Sequence, residues 1–142
     1  MKTNYIEPSQ ESGAALFRRN IEGEVIMLNL IRLRKIADYS NNPELSPASP
    51  ISGKKAFLKY VEHTLPFLKR SGGELLLLAE GGEYFIGPSD ERWDLAMLVK
   101  QSSVQSFFAF ASDSECMAGI GHRTAAIVDS RLLPLVEDKF VT

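Results

Sequence analysis

The chain has 142 residues, 44% hydrophobic and 24% charged, and its 16 basic and 18 acidic side chains leave a net charge of −2. That composition fits one globular domain with enough length for a real core, and it excludes a disordered chain. Nucleic acid and membrane are not expected partners: no Lys/Arg stripe forms, and no run approaches the roughly 20 apolar residues of a membrane span.

Residues 1–8 read as an arm without the apolar core of a secretory signal. The single Cys116 cannot form an intrachain disulfide, so nothing calls for an oxidising compartment and the cytoplasm is the expected location. Ser9 can cap a short helix reaching about residue 20, so residues 1–22 form an arm and helix ahead of a single domain at 23–142. Gly23 releases the chain into a first strand at 24–33. Residues 38–53 are a loop rich in turn formers, and loops of that length are lids, binding loops or mobile insertions.

A long helix is expected over 54–70, because Ala56, Phe57, Tyr60, Val61, Thr64, Leu65 and Leu68 recur at helical spacing. Pro66 should kink it or end it early, and Ser71-Gly72-Gly73 stops it. A second strand covers 74–79, residues 80–83 make a turn, and Tyr84 to Ile86 form the return strand of an inserted β-hairpin. The third strand covers 92–100. Ser102 or Ser103 then caps a helix carrying Val104, Phe107, Phe108 and Ala111, and Asp113 caps a shorter one bearing Cys116, Met117 and Ile120. The last strand spans 125–132.

Without the leading helix and the hairpin, the order is βαββαβ, a ferredoxin-like α+β fold with an antiparallel-type four-stranded sheet. Right-handed crossovers place the first and third strands at its centre. Those two, at 25–31 (Val-Ile-Met-Leu-Asn-Leu-Ile) and 95–99 (Leu-Ala-Met-Leu-Val), do not alternate apolar with polar residues. Successive strand side chains point to opposite faces, so both faces of the sheet must be covered. Helices supply one cover, and face-to-face packing of two sheets in a C2 homodimer supplies the other.

None of the strong catalytic signatures is present: no phosphate loop, no Cys-x-x-Cys pair, no His-Glu-x-x-His helix. His63 and His122 are the only histidines and no spacing brings them together, so no metal site or cofactor is expected. Asn29 interrupts the apolar central strand; it is either bonded within the structure or lines a pocket. Trp93, the one tryptophan, opens the third strand beside it, with Asp94 on the opposite face. His122 and Arg123 stand just ahead of the last strand, where Asp129 and Arg131 share a face. Such a group either forms ion pairs or binds a carboxylate- or carbonyl-bearing ligand and moves a proton, with His122 and Asp129 as catalytic residues and Asn29, Trp93 and Arg123 as ligand-binding ones. Cys116 has no cationic neighbour in sequence and reads as an inert thiol.

Met27-Leu-Asn-Leu30, Gly72-Gly73, Ile86-Gly-Pro88, Trp93-Asp94, the start Ser103-x-x-Ser-Phe-Phe108, His122-Arg123 and Asp129-Ser-Arg131 together resemble an uncharacterised bacterial domain family of the dimeric α/β-barrel, ferredoxin-like superfamily. The resemblance covers about residues 24–134 and leaves the arm, the first helix and the 38–53 loop as additions. It implies a homodimer whose sheets form a barrel. Superfamily relatives include cofactor-free monooxygenases, muconolactone isomerases and heme-dependent chlorite dismutases, and no residue here matches their catalytic sets, so fold alone does not choose a reaction. Two functions are therefore expected to compete. One is a small-molecule-binding protein acting as a cofactor-independent enzyme, monooxygenase- or isomerase-like, on a small carbonyl or carboxylate compound. The other is a non-catalytic homodimeric binding or regulatory module.

Overall fold

Strand β1 (Val25–Leu33) alternates strictly in burial along its first seven residues, although its sequence does not alternate in polarity. The reason lies in the sheet built around it. In this computed structural model, which describes residues 3–138, β1 pairs antiparallel with β3 (Arg92–Gln101) on one side and β4 (Ile127–Leu135) on the other. β2 (Glu74–Glu83) completes the order β2-β3-β1-β4. The first and third strands are the central pair, as the crossover argument requires.

Helix α1 (Gln10–Arg18) starts at a capping box between Ser9 and Ser12. Its Leu16 packs with Val25, Met27 and Val104 in a small cluster at one end of the sheet. Helix α2 (Gly53–Arg70) is capped by Ser52 and runs through Pro66 to its expected end. Pro66 therefore does not end the helix early. Ala56 and Phe57 of α2 meet Ile31, Leu95, Met97 and Ile127 in the main core, where none of these six side chains is more than 9% exposed. Removing Phe57 from that core would cost about 3–5 kcal/mol.

The inserted hairpin is not formed. β2 continues through Gly81 and Gly82 to Glu83 and pairs with β3 almost throughout, so β3 itself is the return strand and 84–91 is the connection. The glycines belong to a paired strand end rather than a turn. A Cβ at residue 81 would sit 2.5 Å from the Trp93 carbonyl oxygen, and Gly82 has φ +155°. Glycine lets the two backbones approach there.

After α3 (Val104–Ser112), the expected short helix splits into α4 (Ser114–Met117) and α5 (Ile120–Ala126). His122 and Arg123 thus lie on a helix, and the last strand begins two residues later than expected. The 38–53 loop, with a 3₁₀ turn at Pro43–Leu45, is fastened: Ala37 N–H donates to Ile51 O, Asp38 N–H to Ala125 O, and Tyr39 is buried.

The register sets Ile26, Leu28 and Leu30 of β1, Ala96 and Leu98 of β3, Leu77 and Ala79 of β2 and Leu133 of β4 on the face opposite the helices. Among the described residues, no helix packs on that face. Leu77 and Leu133 are 47% and 55% exposed.

Candidate functional site

At the α3 end of the sheet, a cavity of about 80 Å³ opens between the helix-facing side of the strands and helices α2 and α3. Its walls are mostly apolar: Met27, Val61, Leu68, Met97, Phe107 and Phe110. Two carboxamides rise into it from the sheet, Asn29 of β1 and Gln101 at the end of β3, while Tyr60 and Thr64 come down from α2. Asn29 spends its Nδ2 donor on the carbonyls of Met27 (3.2 Å) and Met97 (3.5 Å), the latter its cross-strand partner. Thr64 donates back to the Tyr60 carbonyl of its own helix at 3.0 Å. Burial pushes the Tyr60 phenol up from its ordinary pKa, with the Arg123 charge opposing, so it stays neutral.

Gln101 is different. Its side chain is 1% exposed, and its Oε1 has no hydrogen-bond partner. A buried carbonyl left unpaired costs about 1–3 kcal/mol, so natural cores rarely keep one without a use. The cavity is therefore a largely apolar space lined in part by Gln101, whose carbonyl oxygen is unpaired and closed off behind its surface.

The other residues singled out in the sequence lie elsewhere and do not converge on Asn29. Adjacent positions on a helix point about 100° apart, and α5 separates His122 from Arg123 accordingly. His122 Nδ1 is hydrogen-bonded to the Tyr39 hydroxyl at 2.8 Å. Burial, with help from Lys59 and His63, lowers the His122 pKa, which favours the neutral ring. Arg123 instead donates to the Ile6 carbonyl at 2.7 Å and to Ser130 Oγ at 3.3 Å. Burial lowers its pKa too, with Tyr60 and Glu7 opposing.

Asp129 accepts from the Tyr5 N–H (2.8 Å), the Ser130 N–H (2.9 Å) and Arg131 (2.7 Å). Burial raises its pKa, but these three donors outweigh burial and hold the carboxyl below its ordinary value. Ser130 closes the clamp through its N–H and Oγ, both donating to the Tyr5 carbonyl. Trp93 donates its indole N–H to the Tyr84 hydroxyl at 2.7 Å and lies beneath the Arg131 guanidinium, 5.1 Å from the ring centre. Asp94 accepts from the Leu33 N–H at 2.7 Å and from Arg92 at 2.9 Å. Burial and Asp113 raise the Cys116 thiol, which disfavours the reactive thiolate. Among the described residues, no three His, Cys, Asp or Glu side chains gather as metal ligands would.

Sequence reasoning passed over Gln101 and read Tyr60 and Thr64 only as a buried stripe. The signal for Gln101 was its phase: it shares the period-two face of Leu95, Met97 and Val99, where a polar side chain must be buried.

Sheet order and helix placement define a ferredoxin-like α+β protein. A DABB family protein with a ferredoxin-like fold from Mesorhizobium loti has that fold at 9% identity, with a TM-score of 0.51 over 82% of this chain and 98% of its own. Family membership rests on much greater likeness. RPA0582, a protein of unknown function from Rhodopseudomonas palustris, is 34% identical with a TM-score of 0.82, covering 96% of this chain and 99% of that one. The structure of methylated RPA0582 protein matches at 33% identity and a TM-score of 0.83, covering 99% and 100%. This chain belongs to the RPA0582 family, an uncharacterised bacterial family with a ferredoxin-like fold. No family model and no curated protein matches it.

Proposed function

We propose that this protein is a homodimeric small-molecule-binding protein that holds one small, largely apolar ligand between its sheet and helices α2 and α3. The observation that carries this reading is the unpartnered Gln101 Oε1 in an apolar cavity. A ligand with a single hydroxyl or N–H donor would satisfy that oxygen once the Gln101 carboxamide turns toward the cavity, and its apolar body would fill the space beside Met27, Met97 and Phe107. Orientation by one or two placed polar groups in an apolar cleft is how small-molecule sites usually gain specificity. On this reading Asn29 is the second polar group of the site. Arg123 and Asp129 hold the N-terminal arm, Trp93 anchors the 84–91 connection, and His122 fastens the 38–53 loop through Tyr39. The reading thus favours binding over catalysis by His122 and Asp129.

The homodimer forms through the uncovered sheet face. Eight apolar side chains on four strands are more than an isolated soluble sheet leaves to water, and a second copy packed face to face at about 10 Å would cover them. Thermal-shift screening of a panel of small alcohols, phenols and amides tests the ligand. The expected result is a compound that raises Tm for the wild type and not for Gln101→Leu. A hit that stabilises both proteins equally would remove the ligand from this cavity. Light scattering tests the dimer, with Leu28→Glu expected to give a folded monomer. A wild type that is monomeric at micromolar concentration would overturn the assembly.

A further inference from the structure

The end of the sheet opposite the cavity carries a second concave site. Its cleft of about 390 Å³ is lined by Leu33, Arg34 and Lys35 where the chain leaves β1, Ser52 and Lys54 at the start of α2, Glu80 and Gly81 of β2, and Arg92, Asp94 and Leu95 of β3. It shares no residue with the cavity beside Gln101. Four cations and two carboxylates meet here, and both carboxylates are already engaged. Glu80 forms an ion pair with Lys54, and Asp94 forms one with Arg92 while also accepting from the Leu33 N–H.

Arg34 and Lys35 are left over, with no ion-pair partner among the described residues. Arg34 is the more telling of the two. Its Nε is shut off from solvent, and so from the cleft, and has no hydrogen-bond partner, while its charge joins the Ser40 hydrogen bonds in lowering the pKa of Asp38 outside the cleft. Such a group keeps its desolvation cost without the compensating bond. Its main chain is fixed independently of the head group: the Arg34 N–H donates to Ala126 O, and its carbonyl packs so closely on Gly53 that a Cβ there would lie 2.1 Å away. Arg34 and Lys35 thus stand side by side in the lining of one cleft, on main chain tied to Ala126 and Gly53 and beside the positive end of the α2 dipole.

We infer that this cleft binds a small molecule through an oxyanion group, a phosphate or a carboxylate, clamped by Arg34 and Lys35. The planar Arg fork donates in parallel to two oxygens of such a group, and Lys35 adds a point charge. The flanking Lys54–Glu80 and Arg92–Asp94 pairs supply donors and acceptors for the uncharged remainder of the ligand.

Calorimetric titration of the full chain at low ionic strength tests the inference, with pyrophosphate in one arm and citrate in the other. The expected result is saturable binding of at least one of them, weakened by salt. Arg34→Gln and Lys35→Gln should each reduce affinity about tenfold, as loss of a charge-assisted bond does. The stronger arm assigns phosphate or carboxylate chemistry. Gln101→Leu should leave this binding unchanged, which separates it from the cavity ligand. Lys35 is exposed, so Lys35→Gln folds and carries the test even if circular dichroism finds Arg34→Gln unfolded. No saturation by either anion at about 10 mM, where even millimolar affinity would register, overturns the inference. Equal binding by the wild type and Lys35→Gln overturns it as well.

Discussion

Polar groups are buried at two places in this molecule, and they are treated in opposite ways. Around β4 and α5, Asp129, Ser130 and Arg123 are spent on the backbone of residues 5 and 6, so the arm is stitched to the edge strand and α5 by four short contacts. Around the cavity, Gln101 Oε1 meets nothing, and Asn29 reaches only strand carbonyls. The first region looks richer in chemistry because its residues are the charged and titratable ones. Yet satisfied groups hold a structure in place, whereas an unsatisfied one leaves capacity for something else to bind. That difference places the candidate site beside a neutral amide rather than beside the histidine and the aspartate.

Asp129→Ala should break the contrast most severely. It leaves the Tyr5 N–H without its acceptor and Arg131 with only the Ser130 carbonyl, and should cost about 2–3 kcal/mol, read by chemical denaturation, with the arm freed for proteolysis near residue 5. Arg123→Met should follow at about 1–2 kcal/mol, because it orphans the Ile6 carbonyl but leaves the Tyr5 contacts. In the cavity the sign reverses. Gln101→Leu should leave stability unchanged or raise it by up to about 1 kcal/mol, because it removes an unpaid desolvation cost. A loss of more than 1 kcal/mol there, on the same scale, would mean that Gln101 is a structural group like Asp129.

The smallest effect is a pH dependence. The folded Asp129 pKa is depressed below its ordinary 3.8, so its contribution is fully present above that pH and fades as pH falls through the lower folded value. The wild type should therefore lose more stability than Asp129→Asn on acidification below about pH 4. His122 acts in a higher window. Its folded pKa lies below 6.5, so its contribution is complete above that value and declines as pH falls beneath it. Replacing His122 with Phe should flatten the stability profile there. A profile unchanged by either substitution would dissociate these residues from the folding equilibrium.

Much of the fold was legible because it rests on periodicity. The α2 stripe, the caps Ser9 and Asp113, a cap at Ser102 or Ser103, and the central placement of the two doubly apolar strands all follow from local spacing and a handedness rule. The β2–β3 connection was misread because Gly81-Gly82 looks like a turn in sequence. Only the close approach of the Trp93 carbonyl shows why two glycines sit inside a paired strand. The split between α4 and α5 was likewise missed, so His122 and Arg123 were expected on a loop from which both could face one ligand.

What the sequence determined by itself is the sheet order, the helix-covered core and the presence of a second apolar face, since each depends on which residues alternate and at what period. Tertiary structure decided which polar groups are spent. Hydrogen-bond satisfaction joins residues 5 to 129, 39 to 122 and 33 to 94, pairs that no local pattern connects. It leaves out Gln101 and Arg34 only because the packed neighbours of those two side chains present them with no complementary atom.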